Sequence, residues 1–274
     1  METAEARVDY DESGTGTTIV LVPGSCSTGA AWRPVISALG DGFRCVTTSL
    51  LGYGGTAERR TVHDASIAFE AEAVEEVVRR AGGRVHLVGH SFGGLVGLVV
   101  ALRERVPLAS LTVVEAPAAE LLRSEGEEEH YRAFRKMTNA YFDAFEDGER
   151  QAISAMIDFY GGPGTFAAWP ARVQAYAIDK TYVNILDWAS GYGFPLTRQL
   201  LGRIEIPVLV LRGGNSHPAA QRANALVSAS IPGAELATIE GAAHFMIATH
   251  AAQVAALIAR HVHRAENIVA AVAL

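Results

Sequence analysis

The chain contains 274 residues, of which 49% are hydrophobic, and its formal net charge is −7. This apolar fraction is enough for a sizeable buried core, and a chain of this length ordinarily forms one or two domains. The acidic balance and the lack of any lysine or arginine run argue against a nucleic-acid surface or an anionic membrane patch. No apolar run reaches the roughly 18 residues that a membrane span requires.

The start of the chain and its cysteines bear on localisation. The sequence begins METAE, which has neither the positive start nor the apolar stretch of a signal peptide. Two cysteines, Cys26 and Cys45, do not make a disulfide framework. We therefore expect two reduced thiols in a cytoplasmic protein.

Strand and helix patterns alternate over most of the chain. The predicted elements are, in chain order, strand 17–22, helix 30–39, strand 44–48, helix 64–81, strand 84–88, helix 92–104, strand 110–114, strand 207–211, strand 235–239 and a closing helix over roughly 250–264. Between about residue 118 and residue 203 the alternation is replaced by helical segments rich in charged and aromatic residues. Alternating strands and helices predict an α/β fold with a mostly parallel sheet covered by helices on both faces.

The helical stretch predicts a division of the chain. Residues 1–117 and 204–274 are expected to form the α/β core, and residues 118–203 an inserted helical cap, or lid. Ligands bind outside the carboxyl ends of the strands in open α/β sheets, and an insertion between two strands would cover that edge. The apolar tail 265–274 is expected either to extend the last helix or to meet a partner subunit, as in a homodimer.

A short motif predicts a nucleophile. Residues 89–93 read GHSFG, which fits the pattern G-x-S-x-G, and they join a predicted strand to a predicted helix. A sharp strand-to-helix turn strains the backbone at the serine and leaves its hydroxyl exposed above the sheet. Glycines on either side supply the room that the turn needs. This context predicts Ser91 as a nucleophile.

Further segments carry a family resemblance. They read PGS at 23–25, LGYG at 51–54 and GAAHF at 241–245. With the GHSFG motif they resemble the α/β-hydrolase fold family over nearly the whole chain, although Pro23 stands where the family often has histidine. The resemblance implies that His244 is the general base that activates Ser91.

The same resemblance implies an oxyanion hole. Acyl transfer builds negative charge on the former carbonyl oxygen, which backbone N–H groups must meet. One donor is expected to be the amide of Phe92, and the second the amide of Ser25, with Cys26 as the neighbour that could replace it.

The acidic residue that would complete a catalytic triad with Ser91 and His244 departs from the family pattern. The family usually places an aspartate after the strand that is 207–211 here, but residues 212–218 contain no carboxylate, and Ser216 occupies that position. A second location known in the family follows the strand after the nucleophile helix, where this chain has Glu115. We predict that Glu115 orients His244. The alternatives are that Glu115 caps the next helix or pairs with an arginine of the cap, and that Asn215 and Ser216 orient the histidine.

The pocket is expected near these motifs. Cys26, Trp32, Tyr53 and Phe245 lie close to the motif loops and are predicted to line it. An apolar pocket favours a small apolar ester, lactone or diketone. His, Asp and Glu residues are scattered without metal-ligand spacing, and no phosphate-binding motif appears, so we expect no metal and no cofactor.

Three functions fit this pattern. The first is a serine hydrolase that acts on a carbonyl substrate through an acyl-enzyme. The second uses the same site as a C–C bond hydrolase, a lyase or a cofactor-free peroxidase-like enzyme, since the fold does not choose the chemistry. The third is a small-molecule binding protein with a decayed triad. A dehalogenase is excluded because its chemistry needs an aspartate at the elbow, where this chain has Ser91.

Overall fold

The computed structural model describes residues 7–272, with side chains as far as residue 268, and it is organised around one seven-stranded sheet. The strands are β1 (Asp11–Ser13), β2 (Thr17–Val22), β3 (Phe43–Thr47), β4 (Val85–His90), β5 (Leu108–Val114), β6 (Val208–Gly213) and β7 (Glu235–Ile239). Their order is β1-β3-β2-β4-β5-β6-β7. Only β1 pairs antiparallel, with β3, and the other neighbours are parallel.

Helices follow most of the strands. A short 3-10 helix (Gly29–Trp32) precedes α1 (Arg33–Leu39), and the core continues with α2 (Ala68–Ala81), α3 (Phe92–Arg103), α11 (Pro218–Ser230), α12 (Met246–Thr249) and α13 (Ala251–Val272). Between β5 and β6 lie α4 (Ala119–Ser124), α5 (Glu128–Glu146), α6 (Ile153–Gly161), α7 (Thr165–Ala168), α8 (Ala171–Asp179), α9 (Thr181–Gly193) and α10 (Arg198–Leu201). We propose that residues 118–203 act as a cap over the site and call them the cap segment.

Both faces of the sheet are buried. In β2, Val20 and Val22 belong to the apolar layer that contains α2 and α3, whereas Ile19 and Leu21 belong to the layer that contains α1 and α13. All four side chains are fully buried. A strand covered on both sides reads as a continuous apolar run, which is why residues 19–22 show no alternation.

The α/β fold class is confirmed, and the differences from the sequence prediction have local causes. The prediction lacked β1, whose three exposed residues are too short and too polar to show a strand period. It also lacked α11, and it ended the closing helix about eight residues early. Helix α13 continues through Val272, so the tail extends the last helix, while Ala273 and Leu274 lie outside the described residues. Across 7–272, no helix has both the length and the apolarity to cross a bilayer.

Candidate active site

Ser91 lies on the sharp turn between β4 and α3. Its backbone has φ +53° and ψ −126°, a conformation that is rare for a residue with a side chain. The flanking glycines are required: a Cβ at Gly89 would lie 2.2 Å from the carbonyl oxygen of Gly93, and one at Gly93 would lie 2.3 Å from that of Pro23. The Ser91 amide donates to the carbonyl of Val114 at 2.8 Å, which ties the turn to β5.

His244 meets this serine from the loop after β7. Its Nε2 lies 2.9 Å from Ser91 Oγ, and its side chain is buried. His90 stabilises the loop that carries His244, because its Nε2 lies 2.9 Å from the His244 carbonyl oxygen. Burial lowers the pKa of His90 to about 3, so this ring is neutral at physiological pH and donates from Nε2. The Tyr160 ring stacks on the His244 imidazole with a centroid distance of 4.0 Å.

Glu115 completes a chain of three side chains. Its Oε2 lies 2.9 Å from His244 Nδ1, and its Oε1 accepts the Gly213 amide at 2.7 Å. Burial alone raises the pKa of the Glu115 carboxyl, but the hydrogen bonds and the charge interaction with His244 outweigh burial and leave the pKa below its usual range. The carboxylate is therefore ionised at neutral pH, where it fixes Nδ1–H on the imidazole and can stabilise an imidazolium.

The loop after β6 contains no carboxylate, but it hydrogen-bonds to Glu115. Gly213 contributes its amide to Glu115, and Ser216 is buried in the same loop. Asn215 turns away, since its Nδ2 donates to the Gly241 carbonyl at 3.2 Å. In the described part of the chain, the Glu115 oxygens contact His244 and Gly213, and neither an arginine of the cap segment nor a helix N-terminus takes their place.

The residues predicted for the oxyanion hole lie beside the serine. Phe92 is the first residue of α3, where unpaired N–H groups and the helix dipole favour negative charge. Residues 24–28, which we call the 24–28 loop, follow β2. A Cβ at Gly24 would lie 2.8 Å from Ser91 Cβ, so the loop backbone passes directly against Ser91. Ser25 and Cys26 both line the cavity in front of Ser91.

That cavity has a volume of about 690 Å³ and reaches Ser91 and His244. Apolar side chains of the cap segment form much of its wall; they are Met156, Ile157, Trp169, Val173 and Trp188. Cys26 and Phe245 lie in the wall, where the sequence placed them.

Two of the residues predicted to line the pocket lie elsewhere, so those predictions are wrong. Trp32 and Tyr53 do not line the cavity; both are fully buried behind its wall. Trp32 packs edge-on to His90 at a centroid distance of 6.5 Å, and the Tyr53 hydroxyl donates to Asp187 Oδ2 at 2.7 Å. Their nearness to motif loops in sequence did not determine to which side of the loop each ring points.

Sequence reasoning also missed a buried charge cluster behind the site. Arg60 Nη1 lies 2.7 Å from Asp187 Oδ1 and 3.1 Å from Glu70 Oε1, and its Nη2 lies 2.8 Å from Glu58 Oε2. The Arg60 side chain is fully buried, and Asp187 belongs to α9 of the cap segment. Glu58, Arg60 and Glu70 lie close together in the chain, but Asp187 joins them from α9 and the four residues match no short motif, so only the tertiary structure could identify the cluster.

The cluster predicts a pH effect on stability. Burial favours the neutral form of the Glu70 carboxyl more strongly than the nearby Arg60 charge favours the ionised form, and it raises the pKa of Glu70 to about 8. A carboxyl group whose folded pKa is raised contributes stability that is complete below its unfolded pKa and is lost as the pH rises through about 8. Relative to Glu70→Gln, the wild type is therefore expected to lose unfolding free energy between pH 5 and pH 8.5, on the order of a few kcal/mol.

Urea unfolding of both proteins at pH 5 and pH 8.5 measures this difference. Glu76→Gln is the matched control, because Glu76 lies on the same helix but is exposed. An unfolding free energy whose pH dependence is the same in wild type and Glu70→Gln contradicts the prediction.

Comparisons with known proteins agree with this architecture. Residues 19–257 match the sequence profile described as the "Alpha/beta hydrolase family". A protein named "Putative carbamate hydrolase RutD" from Agrobacterium fabrum is 34% identical over 99 residues, which are 36% of this chain and 38% of that protein. A pimeloyl-(acyl-carrier protein) methyl ester esterase from Vibrio cholerae is 39% identical over 109 residues, which are 39% of this chain and 40% of that enzyme. Each of these two alignments therefore spans well under half of the relative.

Solved structures resemble the chain over nearly its whole length. An esterase from Exiguobacterium antarcticum superposes with a TM-score of 0.74 at 16% identity, covering 93% of this chain and 95% of the esterase. A thermophilic esterase from Thermogutta terrifontis gives a TM-score of 0.73 at 21% identity, with 94% and 93% covered. At such identities the likeness extends to the fold alone.

Proposed function

This chain belongs to the alpha/beta hydrolase family, and we propose that it cleaves an ester, lactone or similar carbonyl substrate through a serine acyl-enzyme. The observation that carries the proposal is the unbroken contact from Glu115 to His244 to Ser91, with both hydrogen bonds at 2.9 Å, next to a large cavity. A serine hydroxyl is activated when a base lies within hydrogen-bond distance of it and an acidic residue orients that base.

Under this proposal each group has a distinct role. Ser91 Oγ attacks the substrate carbonyl carbon while His244 Nε2 takes the hydroxyl proton. The amides of Phe92 and Ser25 meet the oxyanion of the tetrahedral intermediate. His244 then gives its proton to the leaving group, and the acyl chain remains on Ser91. A water molecule attacks this acyl-enzyme with His244 again as the base, and the acid product is released.

The lining and the volume of the cavity indicate which kind of substrate it can bind. Its apolar walls favour a carbonyl compound with an apolar body, and its volume of about 690 Å³ leaves room for a small to medium-sized molecule. The partial relatives carry different substrate names, a carbamate and a methyl ester, so their names do not select one leaving group.

The contact between Glu115 and His244 also bears on the alternative of a binding protein with a decayed triad. That alternative is motivated by the missing acid after β6, and the 2.9 Å contact of Glu115 Oε2 with His244 Nδ1 supports an acid supplied from the end of β5 instead. Tight binding of a carbonyl compound without turnover would still support it.

Covalent labelling tests the proposal. A fluorophosphonate is expected to modify Ser91 of the folded protein, and mass spectrometry of the peptide identifies the site. Ser91→Ala should not be labelled, whereas Ser66→Ala, at an exposed loop serine, should label as the wild type does. A folded wild type that remains unlabelled and does not turn over activated esters contradicts the serine mechanism.

A substrate panel separates the chemistries that share this site. It contains p-nitrophenyl esters, a lactone, a diketone and a cyanohydrin. We expect turnover of the esters or the lactone, and loss of that turnover in Ser91→Ala. Turnover restricted to the diketone or to the cyanohydrin would favour a C–C bond hydrolase or a lyase instead.

A further inference from the structure

A residue of the cap segment covers one face of the His244 imidazole. Tyr160 of α6 stacks on that face with a centroid distance of 4.0 Å and an interplanar angle of 27°, and both rings are buried. The other close partners of the imidazole meet its edge, since Nδ1 lies 2.9 Å from Glu115 Oε2 and Nε2 lies 2.9 Å from Ser91 Oγ. The ring of His244 is therefore in contact both at its nitrogen atoms and on its face.

The Tyr160 ring is itself held by other aromatic rings of the cap segment. Trp188 of α9 lies nearly parallel to it at a centroid distance of 6.4 Å, Phe159 of α6 lies edge-on at 5.3 Å, and Phe134 of α5 is tilted at 6.3 Å. Edge-on and offset pairs at such distances are favourable for aromatic rings. The Tyr160 hydroxyl is buried and has no hydrogen-bond partner among the described residues. Ring packing therefore sets the position of Tyr160.

The stacked pair changes its character during the proposed reaction. When His244 takes the proton of Ser91, the imidazole becomes a cation that lies against the electron-rich face of an aromatic ring. A cation within about 6 Å of a tyrosine ring centroid is attracted by the ring, and more strongly where water is excluded. Burial raises the pKa of the Tyr160 hydroxyl well above its ordinary value, so the ring remains an uncharged phenol at neutral pH.

The other titratable neighbours of the imidazole act differently. Glu115 provides negative charge at Nδ1. The His90 ring lies 4.9 Å from that of His244, but burial lowers the pKa of His90 to about 3, so it carries no charge at neutral pH. The face of the imidazole is thus left to the Tyr160 ring.

We propose that Tyr160 is a positioning residue, contributed by the cap segment, whose ring face stabilises the imidazolium form of His244 while Ser91 attacks. The inference rests on the proposed function, because an imidazolium forms in this step only if His244 is the base. The cap segment then takes part in the chemistry, besides forming the wall of the cavity.

This role predicts a particular kinetic signature. The attraction between ring and cation exists after proton transfer and not in the complex of neutral His244 with substrate. Its loss therefore lowers kcat and leaves KM nearly unchanged. A loss of substrate packing in the cavity would raise KM instead.

Pentafluorophenylalanine in place of Tyr160 tests the ring face directly. It is close in shape to phenylalanine, but its fluorine atoms withdraw electron density from the ring face, which then no longer attracts a cation. Relative to Tyr160→Phe, we expect kcat for a p-nitrophenyl ester to fall about 10- to 30-fold, with KM changed less than about twofold. Tyr160→Leu should lose kcat to a similar extent, and Tyr160→Phe should restore it to within about threefold of the wild type.

The same fluorinated residue in place of Phe166 is the matched control. Phe166 is also a buried ring of the cap segment, but it packs against Trp169 at a centroid distance of 6.2 Å and lies outside the cavity wall. Its replacement should leave kcat near the wild-type value. Thermal unfolding curves of both fluorinated proteins verify that they are folded.

The outcomes are distinguishable. If the wild type hydrolyses esters and the fluorinated residue at position 160 gives the same kcat as Tyr160→Phe, the role of the ring face is overturned while the proposed function stands. Equal losses of kcat at positions 160 and 166 also overturn it. A loss in Tyr160→Phe as large as that in Tyr160→Leu overturns it as well, because the hydroxyl would then be the group that matters. If the wild type neither labels at Ser91 nor hydrolyses esters, the proposed function fails and this inference fails with it.

Discussion

His244→Gln is expected to lower kcat for an activated ester by roughly 10⁴- to 10⁶-fold, the largest effect of any single substitution outside the nucleophile. The imidazole Nε2 lies 2.9 Å from Ser91 Oγ, and under the proposed mechanism it accepts the proton of the attacking hydroxyl. Glutamine approximates the size of the ring but cannot take a proton near neutral pH. Single-turnover and steady-state kinetics with a p-nitrophenyl ester measure the loss.

Two comparisons make this expectation specific. Ser91→Ala combined with His244→Gln should lose little more than either single variant, because the two groups act as one unit. His250→Gln changes a histidine six positions along the chain, which contacts Thr249 and lies outside the cavity wall, and it should retain wild-type kcat. A His244→Gln protein with more than about a tenth of wild-type kcat would exclude His244 as the base.

Glu115→Gln is expected to lower kcat by roughly 10³- to 10⁴-fold, and KM much less. The amide side chain fits the same space and can still accept the Gly213 amide. It carries no charge, however, so the imidazolium formed during attack loses its stabilising partner, and the amide can favour the wrong imidazole tautomer. The same kinetic measurements, with a thermal unfolding curve to verify the fold, test this result.

Glu120→Gln is the matched control for charge removal. Glu120 is another buried glutamate shortly after β5, but its carboxylate pairs with Arg123 at 2.6 Å instead of with the site. Its removal should leave kcat near the wild-type value. Unchanged kcat in Glu115→Gln would remove Glu115 from the triad and return the orienting role to the Asn215 and Ser216 loop.

The pH dependence of the unfolding free energy should reflect the ionisation of the Glu115 carboxylate. The pKa of Glu115 lies below its usual range, so its contribution to the unfolding free energy is present above the unfolded pKa and is lost as the pH falls. The stability difference between wild type and Glu115→Gln is therefore expected to shrink on acidification below about pH 4.5.

The sequence by itself determined the features whose chemistry is local. Apolar runs separated by glycine turns specified a mostly parallel sheet, since strands buried on both faces need no alternation. The GHSFG motif specified the elbow around Ser91, because Gly89 and Gly93 stand where any Cβ would collide with backbone within 2.3 Å. These features depend on neighbours in the chain, so spacing alone is sufficient to reveal them.

Tertiary structure decided the features that join distant residues. Glu115 and His244 are 129 positions apart, and their contact depends on the order of the strands, which brings the ends of β5 and β7, on either side of β6, to one edge of the sheet. The inward or outward direction of Trp32 and Tyr53 and the arrival of Asp187 from α9 depend in the same way on packing between elements. Periodicity reports which face of an element is apolar, but it does not report which other element will cover that face.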